Sequence, residues 1–184
     1  MKNNLYYPQV SLSDKQIFNE IKKETKEIGY YSLPFIETSD LKTRLDNLNF
    51  KQKQIAIIGI GGSTLGTYAI YNFMKYNKQH NKSLKKELFF FESTDPVNLN
   101  GTLAQLKLKD TLFIVISKSG TTIETISIFK YLMSITKIDK SNLLVITEDD
   151  SKLNTFAKAN DINSFEIPKN VGGRFSVLSN VGLV

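Results

Sequence analysis

The chain has 184 residues, 41% of them apolar, and a formal net charge of +6 from 24 Lys and Arg against 18 Asp and Glu. That length holds one domain with a proper core, and the lack of cysteine excludes disulfides, thiolate metal sites and a cysteine nucleophile, as fits a reducing compartment. The basic excess sits in solvated stretches, Lys51 and Lys53 and then Lys75 through Lys86, without the interleaved aromatics of a nucleic-acid platform, so no nucleic-acid partner is read from it.

Residues 1–49 read as a helical segment packing on the core. Met1 to Pro8 lacks the apolar centre of a secretory signal, and no apolar run approaches the roughly 18 residues of a membrane span. A cytoplasmic protein with no membrane partner is expected. Ser13-Asp14 caps a short helix with Ile17, Phe18 and Ile21 on one face, and Gly29 ends it. Tyr30 to Pro34 is a connector. Ser39-Asp40 opens a second helix with Leu41, Leu45 and Leu48 facing inward.

Residues 50–184 read as the main domain. Ile55-Ala56-Ile57-Ile58 is a buried strand. It runs into Gly59-Ile60-Gly61-Gly62-Ser63-Thr64-Leu65-Gly66 and a helix carrying Tyr68, Ile70, Tyr71, Phe73 and Met74. The glycine spacing does not meet the dinucleotide fingerprint, and the ribose-binding acid is missing. The glycines suit tight strand-to-helix packing. Ser63 suits a helix cap or a ligand contact equally. Leu88 to Phe91 is the next strand, and Asp95-Pro96 opens a helix with Leu99, Leu103 and Leu106 on its apolar face.

The chain is organised around the stretch from Leu112 to Thr125. Phe113-Ile114-Val115-Ile116 is a buried strand, Ser117-Lys118-Ser119-Gly120-Thr121-Thr122 a turn, and Ile123, Ile126, Phe129 and Met133 mark a helix. The first N–H groups of a helix lack internal partners and carry partial positive charge, so a phosphate fits there. Ser117, Ser119, Thr121 and Thr122 add hydroxyls, Gly120 lets backbone approach, and Lys118 is a further charge. Thr121 to Glu124 also reads as a capping box. Four hydroxyls exceed what a cap requires, and an anion site is favoured.

Asn142 to Ile146 is a further strand, and Thr147 to Asp150 leads into a helix with Leu153, Phe156 and Ala157. Glu148, Asp149 and Asp150 are assigned to the helix dipole and solvent rather than to a metal. No metal or cofactor is expected, and His80 reads as exposed and inert. In Asn170-Val171-Gly172-Gly173-Arg174-Phe175-Ser176, two glycines allow a tight fold beside a ligand, and Arg174 suits a phosphate or a developing oxyanion.

Strand–helix alternation without hairpin signals calls for an α/β fold with a parallel sheet. Ligands in such sheets bind beyond the carboxyl ends of the strands, where both turns lie. In order and spacing, Gly59–Gly66, Ser117–Thr125 and Val171–Ser176 together resemble the N-terminal half of the glucose-6-phosphate isomerase family. The resemblance spans about residues 50–184. It implies a three-layer sandwich, a five-stranded parallel sheet between helices, of the sugar isomerase (SIS), flavodoxin-like or Rossmann-like kind.

The same resemblance implies the site. Ser117, Ser119 and Thr122, with backbone from Lys118 and the intervening Gly120-Thr121 turn, would hold a 6-phosphate. Gly62 and Ser63 would line the sugar pocket. Gly173 and Arg174 would lie by the reacting carbons, with Arg174 stabilising an enediolate. The implied reaction interconverts glucose 6-phosphate and fructose 6-phosphate in glycolysis and gluconeogenesis by moving a proton between C1 and C2, and it needs a general base. In the family the base is a glutamate, assisted by a histidine and a lysine, all from the C-terminal half. This chain stops at Val184, so it reads as a fragment that binds phosphosugar without turnover, and the full-length form as a homodimer. Glu124 does not replace the base, and Asn180 stands where the family usually has a small residue. Two other classes compete. A phosphosugar-sensing regulator would need a helix-turn-helix, which is not evident, and a nucleotide-binding domain would need a lysine after a P-loop glycine run.

Overall fold

The computed structural model describes residues 14–25, 27–76 and 86–184. The Ser13 cap, Met1 to Pro8, His80 and most of the Lys75–Lys86 stretch lie outside the described residues. Five strands, β1 (Gln54–Ile58), β2 (Glu87–Phe91), β3 (Thr111–Ile116), β4 (Leu143–Thr147) and β5 (Asn163–Glu166), form one sheet in the order β2-β1-β3-β4-β5, every pair parallel. The helices are α1 (Asp14–Glu24), α2 (Ser39–Leu48), α3 (Leu65–Tyr76), α4 (Pro96–Leu103), α5 (Ile123–Ile135), α6 (Lys152–Ala159) and α7 (Asn180–Leu183).

Alternation along the strands builds two cores, because successive side chains point to opposite faces. On one face Ala56, Ile58, Phe113, Val115, Leu143 and Val145 pack against Ile128, Phe129 and Leu132 of α5 and Leu153 and Ala157 of α6. On the other, Ile57, Leu112, Ile114, Ile116, Leu144 and Ile146 meet Leu41, Leu45 and Leu48 of α2 and Val181 of α7. The result is the expected three-layer α/β sandwich. β3 is buried along its whole length, as a central strand covered on both faces must be. β5 is short, with only Phe165 deeply buried, and its Asn-Ser-Phe-Glu sequence carries little strand signal of its own.

The N-terminal segment differs from the expectation at two points. Gly29 does not end a helix, since α1 stops at Glu24. Gly29 instead opens a 3₁₀ turn and donates its N–H to the Asn170 carbonyl at 2.9 Å. A Cβ there would lie 2.3 Å from Asn170 Oδ1, so a larger residue would displace the Asn170 amide from its present place. Ile17 and Phe18 of α1 are exposed, whereas α2 packs inward as its leucine spacing predicts. Among the described residues, no helix is long and apolar enough to cross a membrane.

Candidate functional site

The strand order reverses between β1 and β3. β1 has β2 on one side and β3 on the other, so the turns leaving their carboxyl ends diverge and open a crevice. The turn after β1 is a 3₁₀ segment, Gly61–Ser63, with Gly61 at φ 60°; the turn after β3 contains Gly120 at φ 66°. Both values belong to the left-handed region that glycine enters at little cost. Ser63 therefore lies in this short turn, one residue before the Thr64 carbonyl that accepts the first α3 bond, from the Tyr68 N–H at 2.8 Å.

The third motif closes the crevice. Gly173–Leu178 forms a 3₁₀ stretch lying directly on the β1 turn. Ser176 Oγ donates to the Gly173 carbonyl at 2.7 Å and approaches the Gly62 carbonyl at 3.3 Å. A Cβ on Gly62 would stand 2.1 Å from the Gly173 oxygen, so the two backbones touch only because position 62 has no side chain. Gly66 and Gly182 are likewise filled by Val177, whose side chain and carbonyl occupy the space a Cβ would need. Asn180 Nδ2 donates to the Glu166 carbonyl at 2.7 Å, tying α7 to the end of β5.

Between these turns lies a cleft of about 430 Å³ lined by Ile60, Gly62, Ser63, Lys118, Ser119, Thr122, Glu148, Gly173 and Arg174. Ser117 is buried just behind it and donates to Thr122 Oγ1 at 3.1 Å. A hydroxyl has a single proton, so this bond leaves the Thr122 proton free to donate. Ser119 Oγ accepts from both the Thr121 N–H at 3.2 Å and the Thr121 hydroxyl at 3.1 Å, which leaves its own proton free as well. Among the described residues, the N–H groups of Lys118 and Ser119 have no acceptor. Gly120 and Thr121 face away from the cleft: Gly120 is buried against Ser151, and Thr121 is exposed beside the start of α5.

The expected capping box does not form. Thr122 is the N-cap of α5 and makes no side-chain cap hydrogen bond. Ser117 and Thr121 engage the neighbouring hydroxyls instead, so the positive end of a 13-residue helix stays uncapped toward the crevice. Lys118 Nζ lies 3.3 Å from Glu148 Oε1 and donates to the Lys169 carbonyl at 2.9 Å. Its charge is thus largely matched by Glu148. Arg174 is exposed and makes no ion pair among the described residues, leaving the cleft its one unmatched cation there.

The acids after β4 go to lysines. Asp149 pairs with Lys158 at 3.0 Å, and this hydrogen bond holds its carboxyl below the usual range. Asp150 pairs with Lys169, whose ammonium is raised by that bond. Asp139 is held lower still, at about 2, chiefly by the Ser141 hydroxyl. Depressed carboxyl values add stability that is complete above the unfolded value of about 4 and is lost as pH falls through the folded value. Thermal melts should therefore be flat from pH 7 to 5 and decline from about pH 4 toward 2. A melt that rises on acidification would contradict these pairings.

The phosphoglucose isomerase family model matches residues 42–184, which contain all three turns and all five strands. The chain belongs to the phosphoglucose isomerase family. It is 40% identical to the glucose-6-phosphate isomerase of Campylobacter jejuni over 196 aligned positions, covering 100% of this chain and 47% of that relative. A solved structure of a hypothetical protein from Thermus thermophilus matches with a TM-score of 0.73 and 28% identity, over 92% of this chain and 41% of that one. The glucose-6-phosphate isomerase of Chlamydia trachomatis matches with a TM-score of 0.63 and 25% identity, over 96% and 32%. The chain spans less than half the length of these relatives.

Within this phosphoglucose isomerase fold, sequence reasoning missed the supports. Tyr30, assigned to a connector, stacks on Phe175 beside Arg174 with ring centroids 4.5 Å apart. Thr147 is buried beneath the Ser117–Thr122 turn. No local pattern marks either residue. Gly120 carries a testable cost. A methyl there would lie 2.8 Å from Ser151 Cβ and 2.9 Å from the Leu153 nitrogen, at a φ that side chains resist. Gly120→Ala should destabilise by about 2–4 kcal/mol, seen as a fall in Tm of about 4–16 °C. An unchanged Tm would refute the close turn-to-helix contact.

Proposed function

We propose that this chain supplies the sugar-phosphate-binding part of a glucose-6-phosphate isomerase, interconverting glucose 6-phosphate and fructose 6-phosphate through an enediol. The observation that carries the reading is the convergence of three distant turns on one crevice holding free hydroxyl and amide donors and an unmatched guanidinium. Ser119, Thr122 and the Lys118 and Ser119 amides hold the phosphate, with Ser117 orienting Thr122 and the Gly120-Thr121 backbone shaping the turn. Gly62 and Ser63 border the sugar. Gly173 lets it approach the backbone, and Arg174 stabilises the negative oxygen that develops as a proton moves between C1 and C2.

Proton transfer needs a base within hydrogen-bond reach. The carboxylate lining the cleft, Glu148, is paired with Lys118, and on this reading the base is a different group, supplied by polypeptide outside these residues. The 184-residue chain by itself binds phosphosugar without converting it. The whole protein acts as a cytoplasmic homodimer with no metal, cofactor, nucleic-acid or membrane partner, and residues 50–184 form its SIS domain, with α2 packed against that domain's core.

Thermal-shift titration tests the binding claim. A ligand at 100 times its Kd adds about 2.7 kcal/mol, or about 5–11 °C in Tm for a domain of this size. Fructose 6-phosphate should produce that shift, while fructose should not. A response to a nucleotide with none to phosphosugar would overturn the assignment, and isomerase activity from the purified chain would overturn the claim of an outside base.

A further inference from the structure

We propose that Thr147, at the end of β4, is the positioning residue that aims the phosphate-binding amides, and that the start of α6 is wired to the site through it. The inference rests on the phosphate reading of the Ser117–Thr122 turn, but the geometry stands independently.

Thr147 is 1% exposed, yet its hydroxyl has three oxygen neighbours. The Ser117 carbonyl lies at 2.6 Å, the Lys118 carbonyl at 3.3 Å and Ser151 Oγ at 2.7 Å. Its single proton goes to the nearest acceptor, the Ser117 carbonyl. Ser151 therefore donates to Thr147, and Ser151 Oγ in turn accepts the Asn154 N–H at 3.0 Å as the N-cap of α6. The Lys118 carbonyl also accepts the Glu148 N–H at 3.1 Å. Both carbonyls of the turn are thus pulled toward β4.

The peptide unit transmits that pull to the amides. In a trans peptide, C=O and the next residue's N–H point in opposite directions, and no peptide bond among the described residues is cis. Drawing the Ser117 and Lys118 carbonyls toward β4 sends the Lys118 and Ser119 N–H groups away from it. Those are the amides that lack an acceptor among the described residues. Without the Thr147 hydroxyl the Ser117 carbonyl would be a buried acceptor with only the Gly120 N–H at 3.1 Å. The first peptide of the turn could then rotate to seek another donor, and the cradle would lose its orientation.

The test separates aim from fold. Thr147→Val keeps the shape and removes the hydroxyl, and Thr147→Ser keeps the hydroxyl. Residual dipolar couplings of the Lys118 and Ser119 N–H vectors, measured on the full chain without ligand, should shift in Thr147→Val and stay at parental values in Thr147→Ser. Calorimetric titration with fructose 6-phosphate should show at least tenfold weaker binding in Thr147→Val and less than twofold change in Thr147→Ser. Unchanged N–H vectors in Thr147→Val overturn the proposal whatever the binding result. So does a loss of affinity that Thr147→Ser fails to restore. If the parent chain binds no sugar phosphate, the phosphate reading falls, while the N–H vectors still decide whether Thr147 sets the turn.

Discussion

Gly62→Ala should lower the affinity for fructose 6-phosphate at least about tenfold. A single added methyl would sit 2.1 Å from the Gly173 carbonyl oxygen and 2.9 Å from the Arg174 nitrogen. Neither neighbour is a flexible side-chain tip. One of the two turns must retreat, and overpacking of this kind costs about 1–3 kcal/mol. The retreat would also carry the Arg174 backbone away from the Ser117–Thr122 turn, so stability and binding fall together. Gly101 is the control. It lies in α4, with open space where a Cβ would stand. Gly101→Ala should be neutral or stabilise by up to about 1 kcal/mol and leave binding unchanged. Equal behaviour of the two variants in melts and titrations would refute the turn-to-turn contact as the feature that assembles the cleft.

Arg174→Ala should have the opposite signature: normal stability with a large loss of affinity. The side chain is exposed and has no ion-pair partner among the described residues, so folding gives up little when it is cut back. A charged hydrogen bond to a ligand is worth about 1.5–3 kcal/mol, which is a loss of about 10–150-fold. The effect should be largest for a sugar acid phosphate, whose carboxylate resembles the enediolate, and smaller for inorganic phosphate held by the α5 turn. Arg174→Lys should recover only part of it, because an ammonium does not reproduce the planar fork. Calorimetry with both ligands checks this. A uniform loss for both would move Arg174 from the reacting carbons to the phosphate.

The two variants divide the site by cause. Gly62 acts through shape, since its missing side chain lets two backbones meet. On the proposed reading Arg174 would act through charge, in a cleft where Glu148 already matches the other cation, Lys118. On the proposal above, Thr147 would be a third kind of contributor, acting on the direction of a peptide through its bond to the Ser117 carbonyl.

Much of this architecture is local in origin and could be read along the chain. Buried β-branched runs such as Phe113 to Ile116 marked the central strand, and the leucine spacing of α2 marked its inward face. The run of alcohols after β3 marked a hydroxyl-rich turn, and its Ser119 and Thr122 line the cleft. Asp95 caps α4 as its sequence demands, with its carboxylate accepting the N–H groups of Val97 and Asn98. These features are set by neighbours a few residues apart, and period and propensity report such neighbours directly.

Tertiary structure alone decided the partners of each polar group. The Thr121–Glu124 sequence specifies a capping box, yet Thr121 bonds the Ser119 hydroxyl and the N-cap Thr122 bonds the Ser117 hydroxyl instead. Gly29 looked like a helix stop and serves as a seat for Asn170. Ser176 meets the Gly62 carbonyl across 114 residues of chain. A hydroxyl or a glycine carries no mark of which distant group it will meet. Sequence spacing therefore determined the strands, helices and the chemistry of the turn, whereas folding decided which donors were consumed internally and which were left facing the cleft.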